Sequence, residues 1–397
     1  MRHTLIVGGG LGGLTTAALL ARAGQRVTLL ERSAHLGGRG RSAVHDGFVH
    51  NVGPHAVYRG GPAARTFAQL GVGFTGAIVA PRTIGRWQGE AAPLPAGAWD
   101  IATGPLLRGW ERLEALRLLA GLGRVEAGQT TAAWLSGCSP VVGAWARALG
   151  RVATYAHPVD ALDAALVARQ LKLALQGVWY LDGGWQTLVD GMAAAARAAG
   201  ADLRTGVDVL EADDRSVSTA DARLVGDHVV LAVPPSARLG STLAGAVPAR
   251  QAWLDLELRT PSPAWPGLVL DLDGAGYVSD HGAVARLAPD GATLVHAAAY
   301  LAPDEVADRA AVEALVDLGM PGWRERLTSA RWYPGMVVQH ALPGAGAQAP
   351  LQDARGRWQV GDHVASSHLL LDAVVDSAHR VVAEIAARPV RAAEAAA

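Results

Sequence analysis

Hydrophobic positions at the start of the chain form one short run, Thr4-Leu5-Ile6-Val7, closed by glycine, which predicts a strand covered on both faces. Gly8-Gly9-Gly10-Leu11-Gly12-Gly13 interrupts it. Leu14, Leu19, Leu20 and Ala21 then predict a helix that stops near Ala23-Gly24, and a second strand, Arg26 to Leu30, ends in Glu31. Strand, loop, helix and strand in this order make a βαβ unit. Between about residues 75 and 175 the texture turns helical, rich in Leu, Ala, Trp and Arg, and reads as a separate lobe. There Leu106, Trp110 and Leu113 share one helix face with Arg108, Glu111 and Arg112 opposite, while Arg117 and Arg124 drift onto the apolar side. That short stripe predicts a helix packed inside the lobe, with peripheral contact to a membrane surface as the alternative.

The α/β texture returns at Tyr180-Leu181-Asp182-Gly183-Gly184, a turn leading into a helix from Leu188 to Ala199 and a strand ending near Val209. Another strand, His228 to Val233, stops at Pro234-Pro235. Leu254 to Leu258, Gly267 to Leu272, Tyr277 to Ser279 and Thr293 to Tyr300 read as sheet, the expected floor of a substrate cavity. A strand at Trp358 to Val360, a Gly361-Asp362 turn and a helix from Leu370 to Ala387 close the pattern. Residues 1–70, 176–240 and 328–397 are thus expected to form one discontinuous α/β domain. Residues 71–175 and 241–327 form an inserted α+β domain that holds substrate.

With 397 residues, half of them apolar, the chain has ample core for both domains. A net charge of −1 argues against a nucleic-acid partner. The single cysteine, Cys138, excludes an internal disulfide and a CxxC pair and fits a reducing cytoplasm. The glycine-broken N-terminus reads as core, not as a signal peptide, and no stretch is apolar enough to span a bilayer. Thirteen histidines show no H-x-x-x-H spacing, with His363 and His368 five apart, so no metal site is expected.

Gly8, Gly10 and Gly13 satisfy G-x-G-x-x-G between a strand and a helix, where glycines permit a tight turn, backbone approach to pyrophosphate and helix–strand packing. Leu11 and Gly12 open the helix, whose N-terminal N–H groups favour phosphate. Glu31, 23 residues after Gly8, stands where a carboxylate meets ribose hydroxyls. A second fingerprint by letters, Gly344-Ala345-Gly346-Ala347-Gln348-Ala349, lies between Pro343 and Pro350, so no helix can open there.

From Glu31-Arg32 through Leu36-Gly37-Gly38-Arg39-Gly40-Arg41-Ser42, the sequence resembles the FAD-dependent amine oxidase and phytoene desaturase superfamily. Further pieces carry the resemblance: Asn51-Val52-Gly53-Pro54-His55, Tyr180 to Gly184, Val207 with Val209, and Gly361-Asp362 followed by Leu370-Leu371-Asp372-Ala373 and Ser377. Ala288-Pro289-Asp290-Gly291 and Pro321-Gly322-Trp323-Arg324 look like the desaturase branch; Ser377-Ala378 departs from the usual Ser-Gly, and the chain is shorter than typical carotenoid desaturases. The resemblance implies a Rossmann-like FAD-binding domain of the GR2 type with the inserted substrate domain. It implies dissociable FAD, with Glu31 and Arg32 at the adenosine, Gly38 and Arg39 near the pyrophosphate and ribityl, Val209 at adenine, Pro54 and His55 under the flavin, and Asp362, Leu371 and Ala373 at the far end.

The implied reaction is dehydrogenation of a small organic, apolar substrate by hydride transfer to flavin N5, with reoxidation by oxygen, a quinone or another carrier. His55 is the candidate base or ring-orienting residue, and Tyr58, Trp185, Tyr300 and His340 are candidates for the cavity wall. Amine oxidases of the superfamily use a lysine beside the flavin; the one lysine here, Lys172, lies in the helical stretch instead. Three alternatives stay open. They are an amine or amino-acid oxidase, whose substrate clamp could be Arg82, Arg86 or Arg286; a redox-neutral flavin isomerase; and a non-catalytic prenyl binder with the fold of the Rab GDP-dissociation inhibitors.

Overall fold

A computed structural model describes residues 1–78, 82–95, 97–261 and 267–388. Five parallel strands form the first sheet, in the order Asp202–Thr205, Arg26–Glu31, His3–Val7, His228–Leu231 and Trp358–Gln359. Alternation along the first strand divides its side chains between two cores. Ile6 packs under the helices Leu11–Arg22, Gln186–Ala198 and Leu370–Ala387, while Leu5 and Val7 face Val209, Ala212 and Val217. The strand order reverses at His3–Val7, and a crevice opens beyond the carboxyl ends there.

The second sheet has seven strands, in the order Leu327–Gln339, Ala249–Leu258, Thr293–Leu301, Gly276–Asp280, Gly267–Asp271, Arg82–Trp87 and Glu90–Leu94. One face packs Leu254, Leu256, Val278 and Val295 on the helix Arg309–Gly319. The opposite face carries Trp253, Leu270, Tyr277, Ala298 and Tyr300 against Val141, Val142, Trp145 and Tyr155 of the helical region.

Four expectations are corrected. Residues 82–94 form a strand hairpin, not helix, because Gln88 and Gly89 both take positive φ, 53° and 80°, the geometry of a two-residue hairpin turn. Residues 328–339, grouped above with the dinucleotide fold, belong to the long edge strand of the second sheet. The strand expected to end near Val209 stops at Thr205. The helix Trp110–Gly121 does pack in the lobe, through Ala115, Leu116, Leu118 and Leu119, but of the expected stripe Trp110 and Leu113 are exposed and only Leu106 meets the core. Among the described residues no helix is long and apolar enough to cross a membrane.

Arg357 shows how a wall of the crevice is braced. Its side chain is fully buried, donating Nη1 to Ala212 O at 3.0 Å and to Leu239 O at 2.6 Å, Nη2 to Gly240 O at 3.1 Å, and Nε to Asp353 at 2.8 Å. Arg357→Met strands these acceptors without donors. It is expected to lower stability by about 3–5 kcal/mol, read from the urea midpoint at unchanged m-value.

Candidate active site

Four strand ends converge on one groove of about 660 Å³. Val7-Gly8, Leu30-Glu31-Arg32, Ala232-Val233 and Val360-Gly361-Asp362 all line it. Gly8 sits at φ 108°, and a Cβ there would lie 2.5 Å from Ala232 O. At Gly13, which is not in the groove wall, a Cβ would meet Gly8 O at 2.0 Å, so this glycine serves helix-on-strand packing. Gly10 differs: its Cβ would meet nothing nearer than Gly37 O at 3.8 Å, which leaves bare backbone facing the groove. Leu11 and Gly12 open the helix beside it, with no acidic residue in the first turn.

The second glycine turn is stitched to the first, Gly37 N donating to Gly9 O at 2.7 Å. Gly37 and Gly38 take φ of 120° and 53°, conformations that favour glycine. Glu31 accepts from Gly9 N and from Ser33 N, each at 2.7 Å. One lone pair on each oxygen is thereby used, and a second remains for a ligand hydroxyl. Arg32, Val207 and Val209 line the same end.

Arg39 spans the middle of the groove. It donates to Asp362 Oδ2 at 2.8 Å and to Val338 O at 2.7 Å, while His340 Nδ1 lies 2.9 Å from Asp362 Oδ1. Burial alone would raise the Asp362 carboxyl, but Arg39 and His340 outweigh it and hold it well below the usual range. His340 thus lines the groove, as expected, and does so as a partner of Asp362.

Pro54, His55, Trp185, Tyr155, Leu370 and Leu371 close the far end. Asn51 brings two motif segments together there: its Oδ1 accepts from Trp185 N at 3.0 Å. His55 packs edge-on against Trp185 with ring centroids 4.4 Å apart. Its Nδ1 lies 2.7 Å from Gly53 O and its Nε2 3.0 Å from Arg39 O. Both nitrogens lie against carbonyl oxygens, which holds the ring in one orientation in its loop. Its pKa falls to about 4 because burial disfavours the charged ring.

The other candidates disperse. Tyr58 donates its hydroxyl to Ala153 O at 2.7 Å and sits in core. Tyr300 lies on the apolar face of the second sheet, its buried hydroxyl without a partner. Ala373 is buried within the closing helix and does not line the groove. Arg86 is paired with Asp271, and Arg286 with Asp182 at 3.0 Å, so neither is a free clamp; the side chain of Arg82 lies outside the described residues. Lys172 lies beside Gly123, not in the groove wall, and residues 344–349 form turns with no helix. Among the described residues no group of His, Cys, Asp and Glu is arranged to hold a metal. The sequence reading missed Tyr155, which lines the groove and also packs in the apolar core of the second sheet; its αL conformation at a helix end carried no motif.

An acid-side stability loss follows from His55. Its folded pKa of about 4 lies below the ordinary histidine value of 6.5, so the unfolded chain takes up a proton that the folded chain refuses. Stability present above pH 6.5 is lost as the pH falls toward 4, on the order of 3 kcal/mol from this residue. In His55→Gln the pH dependence of stability over that window should be shallower by about 1.4 kcal/mol per pH unit. Urea unfolding at a series of pH values checks this.

A family model described as an NAD(P)-binding Rossmann-like domain matches residues 6–70. Over 67 residues the chain is 45% identical to a phytoene desaturase of Cercospora nicotianae, covering 17% of this chain and 11% of that protein. The chain thus matches only about a tenth of the length of such curated relatives. Across nearly the whole chain the fold matches an oxidoreductase from Methanosarcina mazei, with TM-score 0.78, 20% identity, and 96% and 100% of the two chains covered. It also matches a putrescine oxidase variant, with TM-score 0.72, 18% identity, and 98% and 99% covered. A Rab GDI from Plasmodium falciparum shares the fold too, with TM-score 0.65, 12% identity, and 98% and 99% covered. The N-terminal segment is thus similar to NAD(P)-binding Rossmann-like domains, a stretch of 67 residues to a phytoene desaturase, and the fold of nearly the whole chain to those of the solved oxidoreductase and putrescine oxidase.

Proposed function

We propose that this protein is a FAD-dependent oxidoreductase that dehydrogenates an apolar organic substrate. One observation supports this above the others. A single groove joins a carboxylate at Glu31, bare backbone at Gly10 and Gly38, and an aromatic end at His55, Trp185 and Tyr155. The residues present fit FAD. Glu31 keeps acceptor capacity for ribose hydroxyls, and the open backbone at Gly10 beside a helix N-terminus suits pyrophosphate. Arg39 offsets the charge of Asp362 where ribityl and phosphate oxygens would pass. The start of the helix Leu370–Ala387 faces the same end as Trp185 and Tyr155.

When bound, the flavin supplies the hydride acceptor, and oxygen, a quinone or another carrier takes the electrons onward. The chain's own part is to position the substrate and exclude water. Tyr155 belongs both to the groove wall and to the apolar cluster with Trp253, Tyr277, Ala298 and Tyr300, so this end of the groove is backed by apolar core, which suits an apolar substrate. The pairing of Arg86 and Arg286 with aspartates, and the place of Lys172 away from the groove, weigh toward dehydrogenation of an apolar compound over amine oxidation.

An absorbance spectrum of the purified protein is expected to show flavin bands, which bleach anaerobically with one class among polyenes, hydroaromatics and amines. Absence of flavin that persists after added FAD would falsify the oxidoreductase reading. Glu31→Gln, which keeps the side chain's size and one carbonyl acceptor, should weaken FAD retention by about 10- to 100-fold, followed by flavin fluorescence on dilution.

A further inference from the structure

The outer surface of the helical lobe leaves in water the kind of side chain that folding usually hides. Trp99, on the helix Ala98–Thr103, is 78% exposed, and Trp110 and Leu113, on the helix Trp110–Gly121, are 64% and 48% exposed. No other tryptophan, tyrosine or phenylalanine among the described residues is exposed. Scattered apolar side chains on a surface are ordinary, but these are grouped. Trp110, Leu113, Arg117 and Ala120 are all exposed and fall within an arc of about 80° on one helix. Ala115, Leu118 and Leu119 point the other way, into the lobe.

The surface is held from within. Ile101 and Leu107 are buried in the core beneath it, and Arg112 donates Nε to Leu107 O at 2.9 Å and Nη2 to Gly104 O at 3.1 Å, which ties the loop between the two helices to the second of them. Charge is sorted as well. Arg108, Arg117 and Arg124 are exposed and form no ion pair among the described residues, and the exposed Lys172 adds a fourth cation beside Gly123. The nearby carboxylates are used inside the lobe: Glu111 accepts from Arg108 N at 2.9 Å, and Glu114 from Ser139 N and Oγ at 2.9 and 2.7 Å. Asp100 is the one exposed carboxylate of residues 97–124, and it has a partner of its own. Apolar side chains and unpaired cations thus share one face, in a chain whose net charge is −1.

We propose that Trp99, Trp110 and Leu113 dock the protein on an anionic lipid bilayer, with Arg108, Arg117, Arg124 and Lys172 against the headgroups. Indole rings favour the boundary between headgroups and acyl chains, and cations beside them favour anionic lipid. The contact is peripheral, because a helix of 12 residues is about 18 Å long and cannot cross a hydrocarbon layer of about 30 Å. A second copy is a poorer occupant of this face. A symmetric dimer would set the four cations of one copy against the same four of the other. Leu116 and Leu118, on the inner side of the helix, pack in the core that also holds Tyr155 of the groove wall, so docking turns the helical lobe toward the lipid. The surface stands independently of the reaction proposed above.

Flotation of the full chain with vesicles tests this, using phosphatidylglycerol and phosphatidylcholine in equal parts and phosphatidylcholine alone as the control. The protein is expected to float with the mixed vesicles at low salt, to bind the neutral ones at least tenfold more weakly, and to be released at about 0.5 M NaCl. Brominated lipid should quench part of the tryptophan emission, and Trp99→Gln with Trp110→Gln should remove that part. Trp110→Gln with Leu113→Gln should weaken partitioning about tenfold, and Arg117→Gln with Arg124→Gln should weaken it at low salt and flatten its salt dependence. All these side chains are exposed, and circular dichroism checks that the variants fold; if one does not, the lipid preference, salt dependence and quenching of the wild type decide. No flotation with mixed vesicles, equal binding to neutral ones, or variants that bind like the wild type each overturns the docking surface. Self-association that Trp110→Gln abolishes, without flotation, overturns it too and assigns the face to a second copy.

Discussion

Everything in the groove depends on the absence of a side chain at Gly13. A methyl there would stand 2.0 Å from the carbonyl oxygen of Gly8, so the helix Leu11–Arg22 can begin this close to the end of the strand His3–Val7 only with glycine at that position. The close start brings the positive helix end to the strand termini, where Glu31 and the second glycine turn also arrive. Gly8 is under the same constraint from the other side, against Ala232 O at 2.5 Å. Pushing helix and strand apart would move the Gly10 backbone and loosen the Gly37-to-Gly9 hydrogen bond that joins the two glycine turns.

The two sheets are tied together at the same place. The segment from His50 to His55 runs between them, its start held by Asp255 and Glu257 of the second sheet and its end by Arg39 of the first domain. Gly53 lets it pass Met336, which a Cβ would approach to 2.5 Å. The long edge strand adds Val338 O as an acceptor for Arg39, and beyond its end His340 meets Asp362. The groove is therefore not a property of the dinucleotide fold alone. Its aromatic end exists because the second sheet is docked by buried polar contacts, which demand more defined geometry than apolar contacts do.

The dinucleotide end was legible in the sequence because its signals are local. Strand, glycines, helix and acid follow one another within the first 31 residues, and each has a steric or electrostatic reason to be there. Residues 82–94 were missed because the hairpin sits at the edge of its sheet, where no strict alternation is imposed. The strand Leu327–Gln339 escaped for a related reason: it is an edge strand, mostly half-exposed, and carries Pro334 and Gly335 in its middle. His50, Asp255, Glu257 and His296 have no motif at all. The polar positions do alternate with Leu254 and Leu256, but only the register that sets Asp255 opposite His296 makes a dyad of them.

A buried set of two carboxylates and two histidines is a poor way to stabilise a sheet, since well-packed apolar residues of similar volume commonly do as well or better. Its members instead satisfy one another across chain segments: His50 bridges Asp255 and Glu257, while Trp253 Nε1 and His296 Nδ1 meet the other oxygen of Asp255. Such contacts hold only in one relative placement, so the set fixes where the segment beginning at His50 meets the second sheet, and with it the position of the groove wall at Pro54 and His55.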